Sequence, residues 1–173
     1  MRQTVKKIWN GINGALIGLV ILLAFALVGV RLFGLELFVV LSGSMEPDYP
    51  TGSLIYVKEA DTAGLKVNDV ITFRLDGDTI ATHRIIEVTE VNGETAFRTK
   101  GDANEMEDGA AVRASQVIGT PVFTIPYLGY LAEYIQSTSG RYAAIAVGAF
   151  LLLMVFLPDL IFGGDKKSKE KPE

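Results

Sequence analysis

Two long apolar runs, one near each end of the 173-residue chain, constrain its fold more than any other feature. Residues 8–30 contain no charged side chain, and residues 142–158 are uncharged and rich in aliphatic side chains. A helix of about 20 such residues crosses a hydrocarbon core of about 30 Å. We therefore predict two transmembrane helices, residues 11–33 and 141–162. No small-residue cleavage site opens a polar region after the first run, which favours a retained anchor over a cleavable signal sequence.

The charged residues outside the two runs predict how the chain crosses the membrane. Arg2, Lys6 and Lys7 precede the first run, and four lysines follow the second. The positive-inside rule then places residues 1–10 and the charged tail, residues 163–173, in the cytoplasm. Residues 34–140 form an extracytoplasmic domain of an integral cell-membrane protein. That domain is acidic, which argues against binding of nucleic acid, since a nucleic acid needs a basic face.

The supply of reactive side chains narrows the chemistry that the domain can perform. The chain has no cysteine and a single histidine, His83. Disulfides, thiol nucleophiles, thiolate zinc sites and multi-histidine metal sites are therefore excluded. We predict no cofactor and no metal, and a chemistry based on hydroxyl groups, carboxylates, lysines or one imidazole.

The segment between the two runs is typical of a β domain. Five short runs are rich in β-branched and aromatic residues: residues 53–57, 70–74, 80–88, 95–99 and 116–123. Turn signals separate them, including an Asp-Gly-Asp turn at residues 76–78 and an Asn-Gly turn at residues 92–93. An antiparallel sheet or barrel is the expected result. Residues 34–41 fit either a further strand or a segment along the bilayer surface.

A serine-containing turn and the lone histidine are the first candidates for chemistry. Residues 42–47, Ser-Gly-Ser-Met-Glu-Pro, close the apolar segment with small residues and a proline. A serine at such a turn is either part of an ordinary turn or an exposed nucleophile. His83 lies within a strand pattern, where it is either structural or the base that takes the serine proton.

An acidic loop at residues 100–109 supplies the carboxylates. The loop is either a solvated acidic turn or the source of one aspartate that orients His83. It lacks the Asp-x-Asp-x-Asp-Gly spacing of a calcium loop. The spacing by itself does not choose between Asp102 and Asp108.

Taken in order, four short blocks resemble the type I signal peptidases. They are residues 42–47, residues 68–73 (Asn-Asp-Val-Ile-Thr-Phe), residues 82–86 (Thr-His-Arg-Ile-Ile) and residues 100–104 (Lys-Gly-Asp-Ala-Asn). Many bacterial members carry Lys-Arg where this chain has His83-Arg84. The chain therefore resembles the serine–histidine subgroup of the endoplasmic reticulum, archaea and some Gram-positive bacteria. Arg84 does not replace the lysine, because a guanidinium does not deprotonate usefully.

The resemblance implies a role for each matching residue. It makes Ser44 the nucleophile, His83 the general base and Ser42 the source of an oxyanion-stabilising hydroxyl. It favours Asp108 as the partner of His83, with Asp102 structural or supporting.

The fold that the resemblance implies is a mainly β catalytic domain, with antiparallel sheets or a partly closed barrel, flanked by two transmembrane helices. The implied activity is that of signal peptidase I, a membrane serine endopeptidase that cuts signal peptides from secretory preproteins after small residues. Preproteins, the lipid bilayer and the secretion translocon are the implied partners. Two alternatives remain at this point: a non-catalytic membrane-anchored β domain acting as an accessory or binding subunit, and a peptidase dedicated to one exported substrate.

Overall fold

The computed structural model describes residues 2–75 and 79–162. The predicted turn at residues 76–78 and the predicted cytoplasmic tail, residues 163–173, lie outside the described residues. The described residues form two compact units, one within residues 27–133 and the other formed by residues 2–26 together with 134–162. The described elements are α1 (Arg2–Leu27), β1 (Leu35–Val39), β2 (Leu54–Lys58), β3 (Val70–Arg74), β4 (Ile80–Val91), β5 (Glu94–Lys100), β6 (Val112–Arg113), β7 (Val117–Ile125), α2 (Leu128–Gln136) and α3 (Thr138–Phe162).

The seven strands form one antiparallel sheet in the order β1-β2-β7-β3-β4-β5-β6. Register shifts interrupt the pairing of β2 with β7, of β3 with β7 and of β4 with β5. Such irregularities bend strands and increase their twist, which suits a sheet that curves into a half-barrel. The predicted mainly β, antiparallel and partly closed fold with two flanking apolar helices is confirmed.

The strand bounds follow the local sequence closely. β3 coincides with its prediction, and β4 continues to Val91 because the Asn-Gly turn lets pairing run up to the hairpin. Asn92 and Gly93 both have positive φ, as a two-residue hairpin turn of this type requires. Residues 35–39 are a strand paired with β2, which decides between the two alternatives for this segment. β6 was not predicted, because two residues are too short to show an alternating pattern.

Two apolar clusters pack inside residues 27–133. One lies between β3, β4, β5 and β6, and the other joins β1 and β2 to α2. Their buried members are Ile71, Phe73, Ile85, Phe97 and Val112 in the first, and Leu54, Tyr56 and Ala132 in the second. The first cluster supports the strand that carries His83, because Ile71 lies directly across from His83 on β3.

Helix α1 contains the first apolar run up to Leu27, and α3 contains the whole of the second. Each has a stretch long and apolar enough to cross a membrane: Lys7–Leu27 with 21 residues, and Thr138–Phe156 with 19. Almost all of these residues are exposed within the protein itself. An all-round apolar exposed helix is typical of a membrane span.

Candidate active site

The turn that carries Ser44 is anchored on both sides of the serine. Before it, Val40 donates its N–H to the Ser53 carbonyl, continuing the pairing of β1 with β2. After it, Met45 is only 2% exposed and so ties the turn to the interior. The Ala103 N–H donates to the Ser44 carbonyl across 2.9 Å. These contacts fix the backbone of Ser44, and the residue itself is half-buried.

Ser44, His83 and Asp108 form a continuous chain of polar contacts. Ser44 Oγ lies 3.2 Å from His83 Nε2, and Asp108 Oδ2 lies 2.6 Å from His83 Nδ1. The imidazole side chain is 13% exposed, and its ring packs edge-on against Phe73 at a centroid distance of 6.2 Å. The two ring nitrogens therefore have different and well-defined neighbours, 39 and 25 residues away in the chain.

Thr99, at the end of β5, holds Asp108 in position. Its hydroxyl donates to Asp108 Oδ2 over 2.6 Å, and the Asp108 N–H donates to the Thr99 carbonyl over 2.9 Å. The carboxylate oxygen that faces the imidazole therefore receives a second hydrogen bond. A base needs such an orienting partner that is itself fixed.

Ser42 lies beside the candidate nucleophile. The two hydroxyl oxygens, Ser42 Oγ and Ser44 Oγ, are 3.2 Å apart, and the Ser42 side chain is exposed. The Ser42 hydroxyl can therefore donate to a group that reaches the Ser44 oxygen from outside the domain.

Asp102 does not contact His83 through a hydrogen bond in the described residues; it pairs with Arg84. The guanidinium binds this carboxylate with two hydrogen bonds of 2.8 and 2.6 Å. It also reaches Asp48, just after the serine turn, and the Asn68 carbonyl, each at 3.0 Å. Arg84 therefore joins three segments around the site.

The Arg84–Asp102 pair changes the ionisation of both groups. The hydrogen bonds from Arg84 hold the pKa of Asp102 below its ordinary value, and Asp102 raises the pKa of Arg84. Both groups are therefore charged around neutral pH, as a bidentate ion pair requires.

Gly101 allows the acidic loop to approach the serine turn. A Cβ at this position would lie 2.7 Å from the Ser44 carbonyl oxygen and 2.7 Å from the Asn104 amide nitrogen. Any other residue would clash with this backbone oxygen, so the loop or the serine turn would have to shift. The close approach to Ser44 therefore explains why the Lys-Gly-Asp-Ala-Asn block has a glycine at position 101.

Sequence reasoning did not single out Thr99 or Asp48. Thr99 directly precedes the Lys-Gly-Asp block, but a threonine near a strand end is too common to signal a role. Asp48 lies four residues after Ser44, with no spacing rule that ties it to Arg84. In both cases the partner is distant in the chain, so no local pattern points to the contact.

Replacing Asp102 by Asn is expected to lower the free energy of unfolding by about 1–2 kcal/mol at pH 7. Because Arg84 lowers the pKa of the folded-state carboxyl, the stabilisation is complete above the ordinary value of 3.8. It is lost as the pH falls through the lower folded-state value. Denaturant unfolding of both proteins in detergent from pH 7 down to pH 3 measures this difference, which should shrink in acid. A difference that stays constant across this range would contradict the ion-pair origin.

The fold and the site together define a class of protein: an antiparallel β domain with two apolar helices and the geometry of a Ser–His–Asp triad. No protein-family profile matches the chain. Signal peptidase I W of Bacillus subtilis is 41% identical over 121 residues, which are 65% of this chain and 64% of that protein. The signal peptidase complex catalytic subunit SEC11C of Homo sapiens is 34% identical over 126 residues, 66% of each chain.

A third relative covers more of its own length. The signal peptidase complex catalytic subunit SEC11 of Eremothecium gossypii is 33% identical over 129 residues, 69% of this chain and 75% of that protein. The chain belongs to the type I signal peptidase family. It spans slightly less than two thirds of the length of the Bacillus and human relatives.

Proposed function

We propose that the protein is a membrane-bound serine endopeptidase that removes signal peptides from exported preproteins. The contact chain from Ser44 through His83 to Asp108 carries the proposal. The relatives support it, because they are named as signal peptidase I and as catalytic subunits of signal peptidase complexes. In the described residues, no observation favours the non-catalytic alternative.

The proposed first step is attack by the serine hydroxyl on the scissile carbonyl. Asp108 accepts the hydrogen bond from His83 Nδ1–H, which leaves Nε2 as the acceptor that faces Ser44. Nε2 takes the Ser44 proton as the oxygen bonds to the carbonyl carbon, and the imidazolium is stabilised by the carboxylate. It then returns the proton to the leaving amine, and the signal peptide remains as an ester on Ser44.

The second step is hydrolysis of that ester. His83 takes a proton from water, which attacks the ester carbonyl, and then gives it back to Ser44 Oγ as the signal peptide leaves. In both steps the carbonyl oxygen becomes negative. The Ser44 backbone N–H and the Ser42 hydroxyl, 3.2 Å from Ser44 Oγ, are the proposed donors to this oxygen.

The proposed topology brings enzyme and substrate to one surface. The basic ends of the chain are cytoplasmic, and residues 34–140 lie on the extracytoplasmic side, where a translocated cleavage site emerges. A signal peptide and α1 then share one bilayer, which raises their effective concentration. The extended cleavage site adds to the sheet edge, and shallow pockets select small side chains beside the cut.

Cleavage of a preprotein in detergent tests the function. We expect the purified full-length protein to release a mature product whose new N-terminus follows a small residue, with another small residue two positions earlier. Mass spectrometry of the products maps the cut. The matched control is the same preprotein with lysine at the residue before the cut, which shallow pockets exclude. No cleavage of the first substrate, or equal cleavage of both, contradicts the proposal.

A further inference from the structure

One backbone carbonyl in α3 lacks its usual partner inside the helix. In an α-helix, the carbonyl of residue i accepts the N–H of residue i+4. For Met154 that residue is Pro158, which has no N–H. The helix nevertheless continues to Phe162, so the Met154 carbonyl is freed within a membrane-spanning helix. An unsatisfied carbonyl in hydrocarbon costs several kcal/mol.

Two side chains of α1 donate to this carbonyl. Trp9 Nε1 lies 3.1 Å from the Met154 oxygen, and Asn13 Nδ2 lies 2.9 Å from it. The two residues are four apart, so they occupy the same face of α1. A carbonyl oxygen has two lone pairs and accepts both bonds.

Asn13 is buried although almost all of the surrounding helix is exposed. Asn13 is 7% exposed, whereas only 6% of the residues in each candidate span are buried. An amide that faced lipid would be costly, and here it is turned to the partner helix instead. Polar side chains that bond across helices are a recognised source of pairing between membrane spans.

We propose that Trp9 and Asn13 form a polar clasp that binds the Met154 carbonyl freed by Pro158. The clasp pairs α1 with α3 as a hairpin within the membrane, so the second span is a binding partner of the first and not an independent tether. It joins the first half of α1 to the second half of α3. The first residues of α1 and the last residues of α3 consequently lie on one side of the bilayer. This inference does not depend on the proposed peptidase activity.

The composition supplies a specific probe of the clasp. Trp9 is the chain's one tryptophan, so its fluorescence reports on this helix pair without interference. The full-length protein in a non-ionic detergent is titrated with sodium dodecyl sulfate while Trp9 emission is followed. We expect Asn13→Leu to shift the Trp9 transition to a lower dodecyl sulfate fraction, equivalent to about threefold to tenfold weaker pairing. Far-UV circular dichroism monitors the overall secondary structure in the same samples.

Asn10→Leu is the matched control. It makes the same chemical change on α1 at an exposed position next to Trp9. We expect it to leave the transition in place. If Asn10→Leu and Asn13→Leu shift the transition equally, a general increase in apolarity is responsible and the proposal is wrong.

Pro158→Ala tests the origin of the clasp. This variant supplies the missing N–H, so the Met154 carbonyl is satisfied within α3. In that background Asn13→Leu should shift the Trp9 transition clearly less than it does in the unaltered chain, because the carbonyl then has one partner within α3. An undiminished shift would mean that Asn13 acts on something other than the freed carbonyl, which overturns the proposal.

Discussion

Replacement of Ser44 by Ala is expected to lower kcat/KM for a preprotein by roughly 10⁴- to 10⁶-fold. The change removes the oxygen that lies 3.2 Å from His83 Nε2 and leaves the imidazole with nothing to activate. The fold should persist, because the Ser44 backbone contacts do not involve its hydroxyl. Initial rates with the purified variant measure the loss, and circular dichroism checks the fold.

Ser42→Ala is the matched control for this result. It removes the same group two residues away, from a position where the hydroxyl is proposed to stabilise the oxyanion. Loss of one such donor costs about 10²- to 10³-fold. We therefore expect Ser42→Ala to be impaired but measurable, with Ser44→Ala far lower. The reverse order would transfer the nucleophile role to Ser42, and full activity of Ser44→Ala would reject the serine mechanism.

Asp108→Asn is expected to lower kcat by about 10⁴-fold with little change in KM. The carboxylate only accepts hydrogen bonds, so it selects the imidazole tautomer with hydrogen on Nδ1. An amide can donate to Nδ1 instead, which places the hydrogen on Nε2 and removes the acceptor that Ser44 needs. We expect substrate binding to be unaffected, because the Asp108 carboxylate bonds to the imidazole and to Thr99.

Asp102→Asn is the comparison for that variant, because it makes the same change in the same loop. Its carboxylate binds Arg84, so we expect a much smaller loss of kcat and the fall in stability described above. Steady-state kinetics measures kcat for each variant, and denaturant unfolding measures the free energy of unfolding for each. If Asp102→Asn lost the larger share of kcat, the assignment of the orienting carboxylate to Asp108 would be wrong.

Sequence patterns within a few residues predicted much of the fold. Residues 70–74 are rich in β-branched and aromatic side chains and are bounded by turn signals, so β3 was predicted at its observed bounds. The Asn-Gly turn at residues 92–93 predicted a hairpin because few other pairs accept two positive φ angles. The two-residue β6 and the partners of Arg84 were outside the reach of such patterns. Each depends on a neighbour that folding brings in from elsewhere in the chain.

In the site, too, the sequence predicts some features and only the folded chain decides others. One histidine and no cysteine meant that any serine–histidine chemistry had to use His83, whatever the fold. Which aspartate joins it depends on the loop between β5 and β6. His83 and Arg84 are consecutive residues on a strand, so they point to opposite faces of the sheet. The loop delivers Asp108 to one face and Asp102 to the other.

The sequence by itself determined two apolar spans, an acidic β segment between them and a short supply of reactive groups, because these follow from composition and from periodicities within a few residues. Only the tertiary structure decided that Asp108 orients toward His83, that Asp102 holds Arg84, and that Asn13 reaches Met154. These contacts join residues from 18 to 141 positions apart. Their geometry is set by strand register, loop path and helix packing, which no local pattern encodes.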